Sequence, residues 1–318
     1  MASKYSTYIA ISVATVGGVA VLGYYLYKRT HNRNKPPKIW EPVGTIAKIY
    51  MYPLKGGRRV ELQQTNCTKY GLQASDQSLS VFRDRCLVIY KESTHDIQVG
   101  TNLPKMLLIE VEAVDDKHFC LRAPGMESIN FKLPELSAEK RHVRMYQAEK
   151  MLTIDCGDEV AEWVSNYIFS EPVGLRLGFH DGAHKRDIEK YNPKEAKLYP
   201  LFKNSAAGLY SGVTSLHLLT TDSVDDLRKR IPNSSVTINN FRPNIVIEGE
   251  NIEPCALTTI DPDTAKSSKD YEPIKTMRRY RPMKRFGSGS PSPVMGILAC
   301  LHNEGLIKLG DNVYVGKY

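Results

Sequence analysis

The sequence predicts an α+β protein: a β-rich first unit, a second unit that mixes strands with short helices, and a single apolar helix ahead of both. Three observations carry this. Strand-like runs dominate from Thr45 to about residue 123, the hydrophobic period changes to that of a helix at residues 158–169, and an uncharged run fills residues 8–27. A chain of 318 residues is long enough for two modest domains, and the expected division is 1–39 for a membrane anchor and basic linker, 40–170 for the first unit and 171–318 for the second.

The apolar run reads YIAISVATVGGVAVLGYYLY, about the length a helix needs to cross a bilayer core. Tyr8 at one end and Tyr24, Tyr25 and Tyr27 at the other suit the two headgroup regions. A signal peptide would have a shorter core and a small-residue cleavage site, whereas this run ends in tyrosines and then KRTHNRNK. Lys28, Arg29, Arg33, Lys35 and Lys38 follow the span and only Lys4 precedes it, so the bias in basic residues leaves the body in the cytosol. Gly17, Gly18 and Gly23 and the basic flank are compatible with the mitochondrial outer membrane, with the endoplasmic reticulum as the alternative. Pro36 and Pro37 form a stiff spacer.

In the first unit, TIAKIY, CLVIY (86–90), MLLIEVEAV (106–114) and KHFCLRA (117–123) read as strands, the last two joined at Asp115 and Asp116 as in a hairpin. At 158–169, Val160, Trp163, Val164, Tyr167 and Ile168 share one helical face. Residues 171–199 are polar and rich in turn formers, and read as a long connection. SLHLLTTDSVDDLRKRI then combines a strand, a cap at Ser223 with Asp226 three residues on, and a short helix showing Val224, Leu227 and Ile231. NFRPNIVIEG reads as an extended segment, and KRFGSGSPSP (284–293) as a surface loop.

Composition narrows the function classes. Hydrophobic residues at 42 % and charged ones at 25 % fit a folded body and exclude long disorder. The six cysteines (Cys67, Cys86, Cys120, Cys156, Cys255, Cys300) show no CxxC, which excludes a zinc ribbon and points to a reducing compartment. A net charge of +8 points to an anionic partner: a phosphorylated cofactor, a membrane face or an acidic protein. No basic stripe interleaves with aromatics, so nucleic acid is not expected. There is also no GxSxG elbow, Walker loop or GxGxxG, the signatures of serine hydrolases, P-loop nucleotide enzymes and dinucleotide enzymes.

Cys255 stands alone in NIEPCALTTIDPDTA, between Pro254 and a strong Asp-Pro-Asp turn. Most such cysteines are small buried hydrophobes, yet a thiol on a short rigid segment also suits a metal ligand or nucleophile. One thiolate cannot hold a metal unaided, so most ligands would have to come from elsewhere, such as a sulfur-bearing organic cofactor. Arg242 in NFRPN sits between an aromatic and a proline, is expected to be extended, and could grip a phosphate with its fork, although a surface ion pair is the commoner use. Arg85 in FRDR and Lys55 in YPLKGG are further cations beside strands, and Gly56 and Gly57 would let an anion approach the backbone. His180 and His184 have the spacing of a helical metal pair, but Gly182 between them makes a helix improbable. Asp261 and Asp263 flank Pro262 and are expected to build the turn rather than do acid-base work.

Taken in order, YPLKGG, FRDR, NFRPNIVI, CALTTIDPDT, EPIKTMRRYR and IKLGDNVYV resemble the MOSC-domain proteins of the mitochondrial amidoxime-reducing component type, over nearly the whole chain. The resemblance implies a MOSC N-terminal β-rich unit followed by a MOSC β-barrel-like unit. It implies binding of the molybdenum cofactor, a pterin with a dithiolene and a phosphate, for two-electron reduction of N-hydroxylated and other N-oxygenated compounds such as amidoximes. Cys255 matches the family's thiolate on molybdenum; Lys55, Arg85 and Arg242 match positions that hold the pterin and its phosphate, Gly56 follows that lysine, and Thr214 falls near another such contact. Electrons would come from NADH through cytochrome b5 reductase and cytochrome b5, partners held on the same membrane.

The chain departs from the family at three places. Only five residues separate Gly249 from Cys255, with Glu253 and Pro254 where the family has a Ser-Arg pair; Gly56 replaces a small hydroxyl residue; and Leu298 stands where an aromatic is common. These departures keep a second expectation open, a catalytically silent membrane-anchored protein that serves as a binding or scaffold module. A sulfurtransferase role is a third, but no separate pyridoxal-phosphate domain accompanies the chain.

Overall fold

The structure is a computed structural model, and it describes residues 37–145, 149–198, 203–231, 235–249, 261–266, 271–280, 282–283, 292–293 and 295–317. The apolar run at 8–27 lies outside the described residues, and among those described no helix is long and apolar enough to cross a membrane. Of the expected surface loop at 284–293, only Ser292 and Pro293 are described, paired with Met283 and Pro282 in a short antiparallel ladder. The architecture is a β-rich α+β fold.

The chain groups into two compact units, residues 1–43 with 312–318, and residues 44–311. In the first, the opening residues of strand Ile39–Met51 run beside strand Asn312–Lys317. The second holds the remaining elements.

Its principal sheet takes strands in the order Ile297–Ala299, Leu216–Thr220, Ile245–Gly249 and Ile39–Met51, with Val60–Leu62 paired to the last. Leu216–Thr220 and Ile245–Gly249 run parallel, while the other pairs are antiparallel. Parallel neighbours need a crossover, and helix Thr221–Arg230 supplies it. Val224 and Leu227 pack from that helix among Leu219, Phe241, Met277 and Met295. Ile245, Val246 and Ile247 are all buried, as expected of a strand covered on both faces. The helix is capped by Thr220, whose Oγ1 accepts from the Ser223 amide, not by Ser223 itself, which is buried in the first turn.

A second sheet runs Leu87–Lys91, Leu175–Phe179, Lys150–Asp155, Lys140–Arg144, antiparallel throughout. Leu175–Phe179 corrects the reading of 171–199 as a connection. Leu175, Leu177 and Phe179 are buried mid-sheet, but the flanking Glu171, Pro172, Gly174 and Asp181 hide the alternation. Short helices Ile188–Tyr191 and Pro193–Leu198 follow. Helix Asp158–Phe169 presents the expected face, and its Ser165 hydroxyl bonds both the amide and the carbonyl of Leu175 at 3.1 Å.

The expected hairpin forms between Glu110–Ala113 and His118–Arg122, with the Asp115 carboxylate accepting the Lys117 and His118 amides. The strand is shorter than MLLIEVEAV suggested, because Pro104–Leu108 coils into a 3-10 helix. Pro104 presets the helical φ at its start.

Candidate functional site: a cationic recess around Tyr52

Strand Ile39–Met51 runs directly into Tyr52-Pro53-Leu54-Lys55. Leu54 bridges Leu87, and the Lys55 amide donates to the Leu87 carbonyl while the Leu87 amide donates to that of Pro53, both at 2.9 Å. This fixes Lys55 against the second sheet. Gly56 turns the chain at φ +79, and a side chain there would meet the Gly100 amide at 3.1 Å, so its lack of a Cβ serves the turn and its packing. Lys55 is buried and its Nζ donates to the Tyr210 carbonyl at 2.8 Å. Burial, and then the charges of Arg186, Arg85 and Arg242, bring its pKa down to about 7.

Arg85 and Arg242 both have φ 51, in the left-handed region that few non-glycine residues occupy. Arg242 was expected to be extended; instead it ends the 3-10 helix Ile238–Phe241 with φ 51 and ψ 49, since Pro243 disfavours only the right-handed helical region for its predecessor. The backbone twist at the two arginines brings both guanidinium groups to one aromatic ring. Their central carbons lie 4.9 Å (Arg85) and 4.2 Å (Arg242) from the Tyr52 centroid, within cation-π range.

The two cations differ in their partners. Arg85 pairs with Asp84 and donates to Asn244 Oδ1 at 3.3 Å. Asp84 also accepts the Tyr52 amide at 2.8 Å and Asn244 Nδ2 at 3.1 Å, and Asn244 bonds Tyr50 and His217 in turn. Asp84 and Asn244 therefore tie the principal sheet to the turn carrying Arg85. Arg242 donates to the Gly57 carbonyl at 2.7 Å and, among the described residues, forms no ion pair. Burial brings its pKa down to about 10.

Beneath them the Tyr52 hydroxyl is sealed from solvent with no hydrogen-bond partner among the described residues. Burial pushes its phenol up to about 12, so it remains a neutral donor. Tyr52, Arg58, Arg59, Asn239, Arg242 and Pro262 line a narrow recess. The Asp-Pro-Asp turn closes one side: Asp261 Oδ1 accepts the Asp263 amide, and Asp263 grips Arg59 at 2.5 Å and Asn239 at 2.9 Å. Asp261 thus builds the turn as expected, and Asp263 docks it.

Lys55, Arg85 and Arg242 are brought into one electrostatic neighbourhood. Thr214 is buried just ahead of strand Leu216–Thr220 with its hydroxyl donating to the Leu216 carbonyl, and no hydrogen bond joins its side chain to the three among the described residues. Next to this segment, Ser211 and Ser215 hold hydroxyls that are buried and unpartnered among the described residues. Cys255 lies outside the described residues. The five described cysteines are unbridged, and burial pushes the Cys67 and Cys86 thiols up to about 11 and 12. His180 and His184 do not lie on a helix, and no group of three or more potential metal-binding side chains occurs among the described residues.

Sequence reading overlooked Tyr52, Asn244 and Arg59. Tyr52 and Asn244 sit inside YPLKGG and NFRPN, but nothing in those motifs marks an uncharged side chain as the point where the cations meet.

Residues 43–171 match the MOSC N-terminal beta barrel domain. The chain is 29 % identical to mitochondrial amidoxime reducing component 2 of Rattus norvegicus, covering 97 % of this chain and 93 % of that one. It is 28 % identical to component 1 of Homo sapiens, covering 96 % and 92 %, and 27 % identical to component 1 of Danio rerio, covering 94 % and 92 %. The chain is thus similar to the amidoxime reducing components over nearly its full length, and its residues 43–171 to a MOSC N-terminal domain. The YPLKGG, FRDR and NFRPN motifs that carry the resemblance all contribute residues around Tyr52.

Proposed function

We propose that the chain is a molybdenum-cofactor-dependent reductase of N-hydroxylated and other N-oxygenated small molecules. The observation that carries this is the recess at Tyr52, lined by a half-buried arginine that forms no ion pair among the described residues and by a tyrosine whose buried hydroxyl has no partner among them. Such a donor set suits an acceptor-only oxyanion, and the phosphate of a pterin is one. The described donors suit the acidic group of such a cofactor.

Arg242, Arg85 and Lys55 would hold the pterin and its phosphate, with Thr214 and Gly56 contributing nearby, and Cys255 would supply the protein's thiolate to the metal. When bound, the group supplies two-electron reducing chemistry. Net conversion of an amidoxime consumes two electrons and two protons, breaks the N–O bond, and releases an amidine and water. Lys55 Nζ, with its pKa brought down to about 7 by burial and neighbouring cations, can bind a proton near neutral pH when an anion arrives. Buried Lys55 and the half-buried Arg85 and Arg242 would fix the orientation of the acidic group.

In this reading residues 8–27 hold the chain in the mitochondrial outer membrane with its body in the cytosol, consistent with relatives named as mitochondrial components. Residues 40–170 and 171–318 serve as the two MOSC units. NADH, cytochrome b5 reductase and cytochrome b5 supply the electrons, and a net charge of +8 favours an acidic donor protein. Shared anchoring raises their effective concentration.

The deciding experiment is metal and pterin analysis of the full chain from cofactor-replete cells, followed by benzamidoxime reduction with a reconstituted cytochrome b5 system. About one molybdenum per chain and turnover that disappears in Cys255→Ala are expected. No molybdenum would leave the binding or scaffold role in its place, and undiminished turnover in Cys255→Ala would remove the thiolate assignment.

A further inference from the structure

We propose that the cavity beside His180 is a binding site for a small oxyanion, the carboxylate or phosphate group of a small molecule, distinct from the recess at Tyr52. The cavity measures about 90 Å³, and its walls come from residues 69–70, His180, residues 184–186, residues 204–205 and residues 207–209. Lys69, Lys185 and Arg186 are cations on its lining, His180 and His184 join them, and no carboxylate lines it. Such a lining attracts anions and repels cations.

The side chains leave a defined set of donors for a ligand. His180 is 4 % exposed, and its Nδ1 accepts the Gly182 amide at 3.0 Å, which places the ring proton on Nε2. Burial first of all brings the pKa of this ring down to about 4, so at neutral pH it is an uncharged donor. Its Nε2–H forms no hydrogen bond among the described residues and is not sealed from solvent, so it is open to a ligand that enters the cavity. Lys69 and Lys185 are exposed at the rim.

Arg186 plays another part. Its Nε and Nη2 grip Glu149 at 2.8 Å each, and its terminal nitrogens donate to the Ser211 and Gly212 carbonyls at 2.9 Å, so the guanidinium is committed to the wall. Asp181 lies off the lining, held by Lys140 at 2.8 Å and His184 at 3.1 Å. What remains for an occupant is one fixed N–H and two ammonium groups. An acceptor-only group satisfies all three, whereas an apolar ligand would leave His180 unanswered.

This site stands whether or not the molybdenum reading holds. Its wall is nonetheless continuous with the cationic neighbourhood of Lys55: Leu209 precedes Tyr210, whose carbonyl receives Lys55 Nζ and whose ring meets His180 edge-on at 5.1 Å.

The test is calorimetric titration of the full chain with inorganic phosphate and, separately, with acetate, alongside the His180 imidazole resonances in long-range nitrogen-proton spectra. Saturable binding of one ion per chain with a shift of the His180 Nε2 signal is expected. Tighter phosphate binding would point to a phosphorylated ligand, and equal or tighter acetate binding to a carboxylate. A Lys69→Ala/Lys185→Ala double variant, altered only at exposed positions, should weaken binding roughly tenfold, while Arg242→Gln should leave it unchanged. His180→Phe, which keeps a ring and drops the donor, should weaken it further. Absence of saturable binding overturns the proposal. So does binding that survives the double lysine variant but is lost in Arg242→Gln, because the ion would then belong to the Tyr52 recess.

Discussion

Arg186 and Glu149 meet through two parallel hydrogen bonds of 2.8 Å, with side chains only 3 % and 4 % exposed. The same guanidinium holds the carbonyls of Ser211 and Gly212, so one buried pair fixes the segment that presents the Tyr210 carbonyl to Lys55. Breaking such a pair from one side leaves an uncompensated buried charge. Glu149→Gln is therefore expected to lower unfolding free energy by about 3–5 kcal/mol, measured by urea denaturation. A loss below about 1 kcal/mol would mean that water reaches the pair and that it does not fix the segment.

Lys55 makes stability depend on pH in a definite direction. Its folded pKa, near 7, lies below its unfolded value of 10.5, so between these limits the unfolded chain holds the extra proton. Stability from this group therefore rises with pH from about 7 to 10.5, by at most about 1.4 kcal/mol per pH unit. Lys55→Met should flatten that rise. Thermal melts at intervals across this window decide it, and identical slopes in the two proteins would place the lysine in contact with solvent.

Tyr52→Phe separates stability from ligand binding. The hydroxyl is buried without a partner among the described residues, and an unanswered hydroxyl is costly in the folded state. Removing it should leave the cofactor-free protein equally stable or up to about 2 kcal/mol more stable, while reducing retention of a bound phosphate-bearing group. Ring contacts to Arg85 and Arg242 persist in the variant. A clear loss of stability without ligand would show that the hydroxyl already has a partner.

Legibility in the sequence followed the range of the interactions. Helix Asp158–Phe169 and the Asp115 hairpin were readable because period and turn chemistry are local. Strand Leu175–Phe179 was not, since its partners Leu87–Lys91 and Lys150–Asp155 are distant in sequence and turn formers surround it. Lys55, Arg85 and Arg242 were picked out by residue type and motif, but type alone does not reveal that two of them share the Tyr52 ring. That depends on left-handed backbone at positions where glycine would be the usual signal. The Glu149–Arg186 pair left no trace either: it joins residues 37 apart, and a mixed-charge stretch reads as solvated surface until burial is known.

Asp263 offers the last test, because it docks the turn that follows Cys255 in sequence. Its carboxylate accepts from Arg59 and Asn239, and the turn itself is closed by Asp261 on the Asp263 amide. Burial works to raise the pKa of this carboxyl, but the hydrogen bonds from Arg59 and Asn239 outweigh it and hold the group below its ordinary 3.8. The stabilisation is therefore complete above about pH 4 and lost as pH falls through the lower folded value. With the group partly exposed, Asp263→Ala should cost only about 1 kcal/mol globally, yet it removes the contact that closes the recess. Hydrogen exchange at residues 261–266 should speed up about fivefold, matching that free energy, while helix Asp158–Phe169 keeps its protection. Unchanged exchange at the turn would mean that backbone bonds alone hold it there, and that Arg59 is free to serve a ligand instead.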